Sequence, residues 1–194
     1  LRRQRQMCIR DSIVIVEFAV NDEGDETKGN CYESLVRKIL KLPNHPAVIL
    51  LFSVFANDWN LQDRLSVVGK CYDLPMVSIM DAVTPQFKQK QGEGRVLSKN
   101  QFFYDMFHPS NLGHTIMADC LSYFFERCEE TKGLRKNKFV TGIFDEETLE
   151  RRLLETPVIG NSFESVHLID KKDSYVGAKI DEGGFVHCDK ELQC

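Results

Sequence analysis

Asp105 and His108 stand three residues apart in the segment Asp105-Met106-Phe107-His108-Pro109-Ser110-Asn111-Leu112-Gly113-His114, just ahead of a helical stripe. In a loop, this spacing lets the carboxylate fold back and accept a hydrogen bond from the imidazole Nδ1. That bond fixes the tautomer and leaves Nε2 free as a general base toward a serine hydroxyl. Pro109 restricts His108 to extended geometry and helps aim its ring. The motif is short, and two solvated loop residues would give the same spacing. A second group is Asn21, at the end of a β-branched run: its amide can donate to a developing oxyanion, or it can close an Asx-turn. A third is Asn57-Asp58-Trp59, after the next apolar run. Trp59, the chain's one tryptophan, can stack on a sugar or acyl group with Asn57 beside it, or pack over the end of a sheet.

Elements of two periods must position these groups. Ile13 to Val20 is β-branched and nearly all apolar, the pattern of a strand buried on both faces of a parallel sheet. Cys31, Leu35, Val36, Ile39 and Leu40 recur at helical spacing, with Pro43 beyond the stop. Ala47 to Phe55 is a second continuous strand, Leu61, Leu65 and Val68 mark a second helix, and Pro75 to Met80 is a third, shorter strand. Leu112, Ile116, Met117, Cys120, Leu121, Phe124 and Cys128 form the stripe of a long helix capped at Ser110 or Asn111. The alternation predicts right-handed parallel crossovers and an α/β sandwich. Ligands bind such sheets at the carboxyl ends of the strands, where Asn21, Asn57 and His108 all fall.

The 194 residues divide by pattern. Leu1 to Ser12 contains Met7-Cys8-Ile9-Arg10-Asp11, which resembles a translated transposon-end adapter from sequencing-library preparation. Residues 1–12 are therefore read as an artefact, outside the fold, and the natural chain is expected to begin further upstream. Residues 13–128 form the α/β domain and the charged stretch 129–138 a linker. Residues 139–194 form a small β-rich module, expected to be incomplete. It opens with a short helix from Asp145 to Leu154, followed by antiparallel strands at 166–169, 175–180 and 184–188.

A net charge of −4 with scattered signs gives no footprint for nucleic acid. No apolar run reaches the roughly 18 residues of a membrane span. Seven cysteines at irregular spacing, with no C-x-x-C pair and no Cys/His cluster, point to free buried thiols rather than a metal centre. A reducing, cytoplasmic setting suits them, although a signal peptide cannot be judged from this start.

Taken together, Ala19-Val20-Asn21-Asp22 and Asp105-x-x-His108-Pro109 resemble the G-x-N-D and final D-x-x-H-P blocks of the SGNH/GDSL serine esterase and lipase family. The spacing, the strand order and the trailing Gly113-His114 resemble it too. The similarity covers residues 13–127. It implies a three-layer α/β/α flavodoxin-like fold, truncated at its N-terminal side. It also implies no cofactor, and hydrolysis of acyl esters, often acetyl groups on small or carbohydrate alcohols, through an acyl-serine intermediate. By resemblance, His108 is the general base, Asp105 its orienter and Asn21 an oxyanion-hole donor.

Two departures matter. Ala19 replaces the family's glycine, and the G-D-S block with the nucleophile is expected about 60–100 residues before Asn21, at ~30 residues per βαβ unit. Ser53 and Ser78 fall in strand runs and cannot substitute, so the 194-residue chain is expected to be inactive. The other reading is a non-catalytic binding or structural protein on a flavodoxin-like scaffold, since fold alone does not imply function.

Overall fold

The computed structural model of the chain describes residues 12–21, 26–132 and 146–166. The chain divides into two units, Leu1–Glu164 and Ser165–Cys194. Of the second, only Ser165 and Val166 are described, so the three antiparallel strands expected at 166–169, 175–180 and 184–188 lie, but for Val166, outside the described residues.

In the first unit, β1 (Ile13–Glu17), β2 (Ala47–Phe52) and β3 (Met76–Ser78) form a parallel sheet in the order β1-β2-β3. Ile15 pairs with Ile49, and Leu51 with Val77. The apolar run Ala47–Phe52 takes the middle because only a strand covered on both faces can bury five consecutive side chains, Val48 to Phe52. β1 differs from the sequence expectation. It is shorter, and Ile13 and Ile15 are 46% and 43% exposed. It is the outer strand of the described sheet, so only its even-numbered face, with Val14 and Val16, is packed.

Two helical layers sandwich the sheet. On one face, α1 (Asn30–Leu40) and α2 (Gln62–Tyr72) pack Tyr32, Val36, Leu65, Val68 and Tyr72 against Val16, Val48 and Leu50. On the other, α3 (Ile79–Lys88), α4 (Lys99–Phe102) and α5 (Asn111–Lys132) cover Ile49, Leu51 and Val77. The protein is thus an α/β sandwich with a parallel sheet flanked by helices, as its alternating pattern predicts. α3 and α4 have no sequence counterpart, because Pro85 and the short run 99–102 blur the helical period. The third strand ends at Ser78, whose hydroxyl caps α3 by accepting from Asp81 N at 3.0 Å. α5 runs through Glu129–Lys132, four residues into the charged stretch read as a linker. No helix among the described residues is long and apolar enough to cross a membrane.

α1 presents a different face from the one its apolar residues suggest. Cys31 and Leu35 lie outward, whereas Glu33 and Arg37 are buried. The cause lies more than a hundred residues away. α6 (Glu146–Leu154) and the strap that follows it, residues 155–164, return to α1. Glu33 Oε1 accepts from Val158 N (2.9 Å) and Tyr72 Oη (2.6 Å), and Oε2 from Ile159 N (2.5 Å) and Gly160 N (2.7 Å). Arg37 donates to Leu153 O, Tyr72 Oη and Glu164 Oε2. Burial, reinforced by the bond to Glu33, holds the Tyr72 phenol above its ordinary pKa, so it remains a donor.

Candidate active site

The carboxyl edge of the sheet carries the site residues. Chain leaving α4 makes a narrow antiparallel turn: Phe103 bridges to Pro109, and Tyr104 N donates to His108 O at 2.8 Å. Asp105, Met106 and Phe107 form its tip. Asp105 organises that tip from within. Its Oδ1 accepts from the backbone N–H of Phe107 (2.8 Å) and of His108 (2.7 Å), and its carboxylate meets His108 Nδ1 at 2.8 Å through Oδ2. The aspartate is therefore both turn cap and imidazole orienter. His108 is 73% exposed and Asp105 42%, so the pair stands open to solvent.

The bond to His108, followed by the two backbone N–H donors, lowers the Asp105 pKa from 3.8 to about 2. A depressed carboxylate supports the native loop fully above its ordinary value and loses that support as pH falls through the depressed one. The Asp105–His108 geometry is accordingly expected to persist to about pH 3 and to fail near pH 2. A carboxyl-carbon NMR titration of Asp105 with a midpoint near 4 would contradict this.

The base of the loop is fixed by Ser110 and Gly113. Ser110 Oγ donates to Gln101 O (2.6 Å) and accepts from Gly113 N (3.1 Å), capping α5 as one of the two expected residues. A Cβ on Gly113 would lie 2.2 Å from the Phe102 carbonyl oxygen and 2.9 Å from Pro109 Cβ. Gly113→Ala must therefore push α5 away from the His108 loop, at a cost of about 1–3 kcal/mol. An unchanged melting temperature would refute that packing argument.

The β2–α2 loop joins the same edge. Ala56 N donates to Met106 O at 3.1 Å, tying it to the tip of the His108 loop. Asp58, held at φ 64°, meets Lys99 Nζ at 2.8 Å, and Lys99 also donates to Ala56 O at 2.7 Å. Asn57 is exposed, and its side-chain oxygen accepts from Trp59 N at 3.2 Å. Trp59 is half-buried: it stacks on Phe55 (centroids 5.8 Å apart) and packs against the core under α1 and α2. The backbone of Ala19 anchors this region, accepting from Leu61 N at 2.8 Å. Asn21 is exposed just beyond β1, and Asp22 of the same block lies outside the described residues.

The structure thus brings Asp105 and His108 into direct contact and links their loop to that of Asn57 and Trp59. Asn21 sits past β1 on the same edge. The sequence reading missed Phe107 and Tyr104, flanking His108, which are 58% and 83% exposed. Aromatic residues within and beside the D-x-x-H motif were the available signal; their exposure is not written in the sequence. Among the described serines, Ser53 is buried just after β2, Ser78 caps α3 and Ser110 is engaged at the loop base.

No protein-family model and no curated protein matches the chain. Among solved structures it is similar to a two-domain esterase active on acetylated mannans, co-crystallised with mannopentaose. That match has 32% identity and a TM-score of 0.55, over 62% of this chain and 32% of that one. A second crystal structure of a two-domain esterase active on acetylated mannans matches at 27% identity and a TM-score of 0.61, over 80% of this chain and 37% of the other. The chain thus spans about a third of the length of these structures. The α/β fold is consistent with a flavodoxin-like esterase fold.

Proposed function

We propose that this chain contributes the base, its orienter and an oxyanion donor to an SGNH/GDSL-type serine hydrolase that removes acyl groups, acetyl above all, from carbohydrate esters. The observation that carries the reading is the bond from His108 Nδ1 to an Asp105 carboxylate already fixed by two backbone N–H groups. This arrangement presents Nε2 as a proton acceptor on an exposed edge. The likeness to esterases active on acetylated mannans supports both the reaction class and a carbohydrate alcohol.

In the proposed reaction, His108 Nε2 takes the proton of a serine hydroxyl as the oxygen attacks the ester carbonyl. The Asn21 amide donates to the resulting oxyanion, and as the C–O bond breaks the imidazolium protonates the departing sugar oxygen, which leaves as a hydroxyl. Water, deprotonated by the same imidazole, then releases the acid and restores the serine. Ser53 is buried just after β2, Ser78 caps α3 and Ser110 is engaged at the loop base; in the proposed reaction the nucleophile is a serine supplied from outside these 194 residues.

Hydrolysis of p-nitrophenyl acetate tests the proposal. The 194-residue chain should match its own His108→Ala variant, and the same chain joined to the upstream coding sequence should turn the ester over. Clear His108-dependent hydrolysis by the chain alone would refute the external nucleophile. A complete protein that hydrolyses no acyl ester would refute the esterase.

A further inference from the structure

Phe107 lies between the two residues of the catalytic pair, and its side chain is 58% exposed. Its ring stands edge-on to Phe55, with centroids 5.2 Å apart at 81°, and Phe55 in turn stacks on the half-buried Trp59. On its other side the Phe107 centroid is 6.4 Å from that of the His108 imidazole, at 75°. Tyr104, 83% exposed, is paired across the turn with His108 through its backbone N–H. A propped aromatic ring thus borders the general base and a second stands opposite it in the turn.

Such rings are costly to keep in water, and exposed aromatic surface beside a reactive group is what a binding site presents. The shape of the site selects the ligand. An acyl chain needs an enclosed apolar slot, whereas these rings lie open. Polar groups are set among them: the Lys99–Asp58 ion pair, and the Asn57 amide, whose oxygen alone is spent on Trp59 N. An open aromatic face with polar neighbours complements a pyranose ring, which offers a C–H face to the aromatic and hydroxyls at its edge.

We propose that Phe107 is a specificity-determining residue: the sugar ring carrying the ester stacks on it beside His108, with Tyr104 as a second aromatic wall. Trp59 then acts from beneath, supporting Phe55 and through it Phe107. The assignment deepens the esterase reading and rests on it.

The test is titration with mannopentaose, followed by calorimetry and by the emission of Trp59, the chain's one tryptophan. Phe107→Ala is expected to weaken binding about 5–10-fold, the scale of one aromatic contact. Phe107→Tyr should hold affinity within about twofold, and Phe107→Leu should fall with alanine, because it keeps apolar bulk but loses the flat face. The tyrosine and leucine variants keep the experiment decisive should the alanine variant fold poorly. Leucine binding as tightly as phenylalanine, or wild-type protein that does not bind mannopentaose, would overturn the platform. Hydrolysis of an acetylated manno-oligosaccharide by the complete protein separates the two ideas. Turnover indifferent to Phe107 overturns the platform and keeps the esterase. Phe107-dependent binding without turnover supports the platform and overturns the esterase.

Discussion

Replacing Glu33 with alanine is expected to lower the unfolding free energy by about 3–5 kcal/mol, the usual penalty for removing one member of a buried ionic network. The side chain is fully buried and its two oxygens take four hydrogen bonds: three from the consecutive amides Val158, Ile159 and Gly160, and one from Tyr72. Alanine leaves those donors without an acceptor, each buried orphan costing about 1–3 kcal/mol before relaxation. It also leaves Arg37, 3% exposed, with less negative charge nearby. Glu33→Gln should fall between: one oxygen still accepts, but the new NH2 group faces backbone N–H donors. Leu35→Ala on the same helix is the control, since Leu35 is 36% exposed and should change stability by about 0.5 kcal/mol or less. Urea denaturation of the three variants makes the measurement. A Glu33→Ala loss below about 1 kcal/mol would mean that the carboxylate does not hold the strap.

Local pattern and distant contact were unequally legible in the sequence. β2 was plain because a strand covered on both faces carries its own signature, six apolar residues from Ala47 to Phe52. α2 and α5 were plain from their periodicity. The buried face of α1 was not, because a glutamate and an arginine four residues apart read as an ordinary solvent-facing pair. Only the return of residues 153–164 turns them inward, and no local signal announces a partner so far along the chain. The exposure of Ile13 and Ile15 was equally hidden, since apolar content states what a strand can bury and not what covers it. At the site, Asp105 and His108 were readable because their partnership is local, completed within three residues. The two backbone N–H groups that Asp105 also gathers follow from the turn itself. Trp59 was singled out as the aromatic of the edge, yet it lies half-buried against Phe55 while Phe107 holds the exposed position. Type and spacing do not reveal which of two nearby rings faces water.

Asp105→Asn in the complete, active protein is expected to lower kcat by about 10⁴-fold while leaving the fold intact. The carboxamide is nearly the same size as the carboxylate, and its oxygen can still accept from Phe107 N and His108 N, the bonds that shape the turn. Its NH2 group then points at His108 Nδ1, where the carboxylate oxygen stood at 2.8 Å. A donor there favours the tautomer with the proton on Nε2, and in the proposed reaction that nitrogen could then no longer take a proton from the serine. Geometry is kept and chemistry is lost. Asp105→Ala should lose as much activity and also loosen the loop, since both backbone donors lose their acceptor. The two variants therefore separate orienting from capping: similar kcat, but a lower melting temperature and faster amide exchange at Phe107 and His108 for alanine alone. Because the Asp105 carboxyl is ionised above about pH 2, its removal should not create a new step in the neutral pH–rate profile. An asparagine variant retaining a tenth or more of wild-type kcat would show that His108 does not act as the base through the Asp105-fixed tautomer.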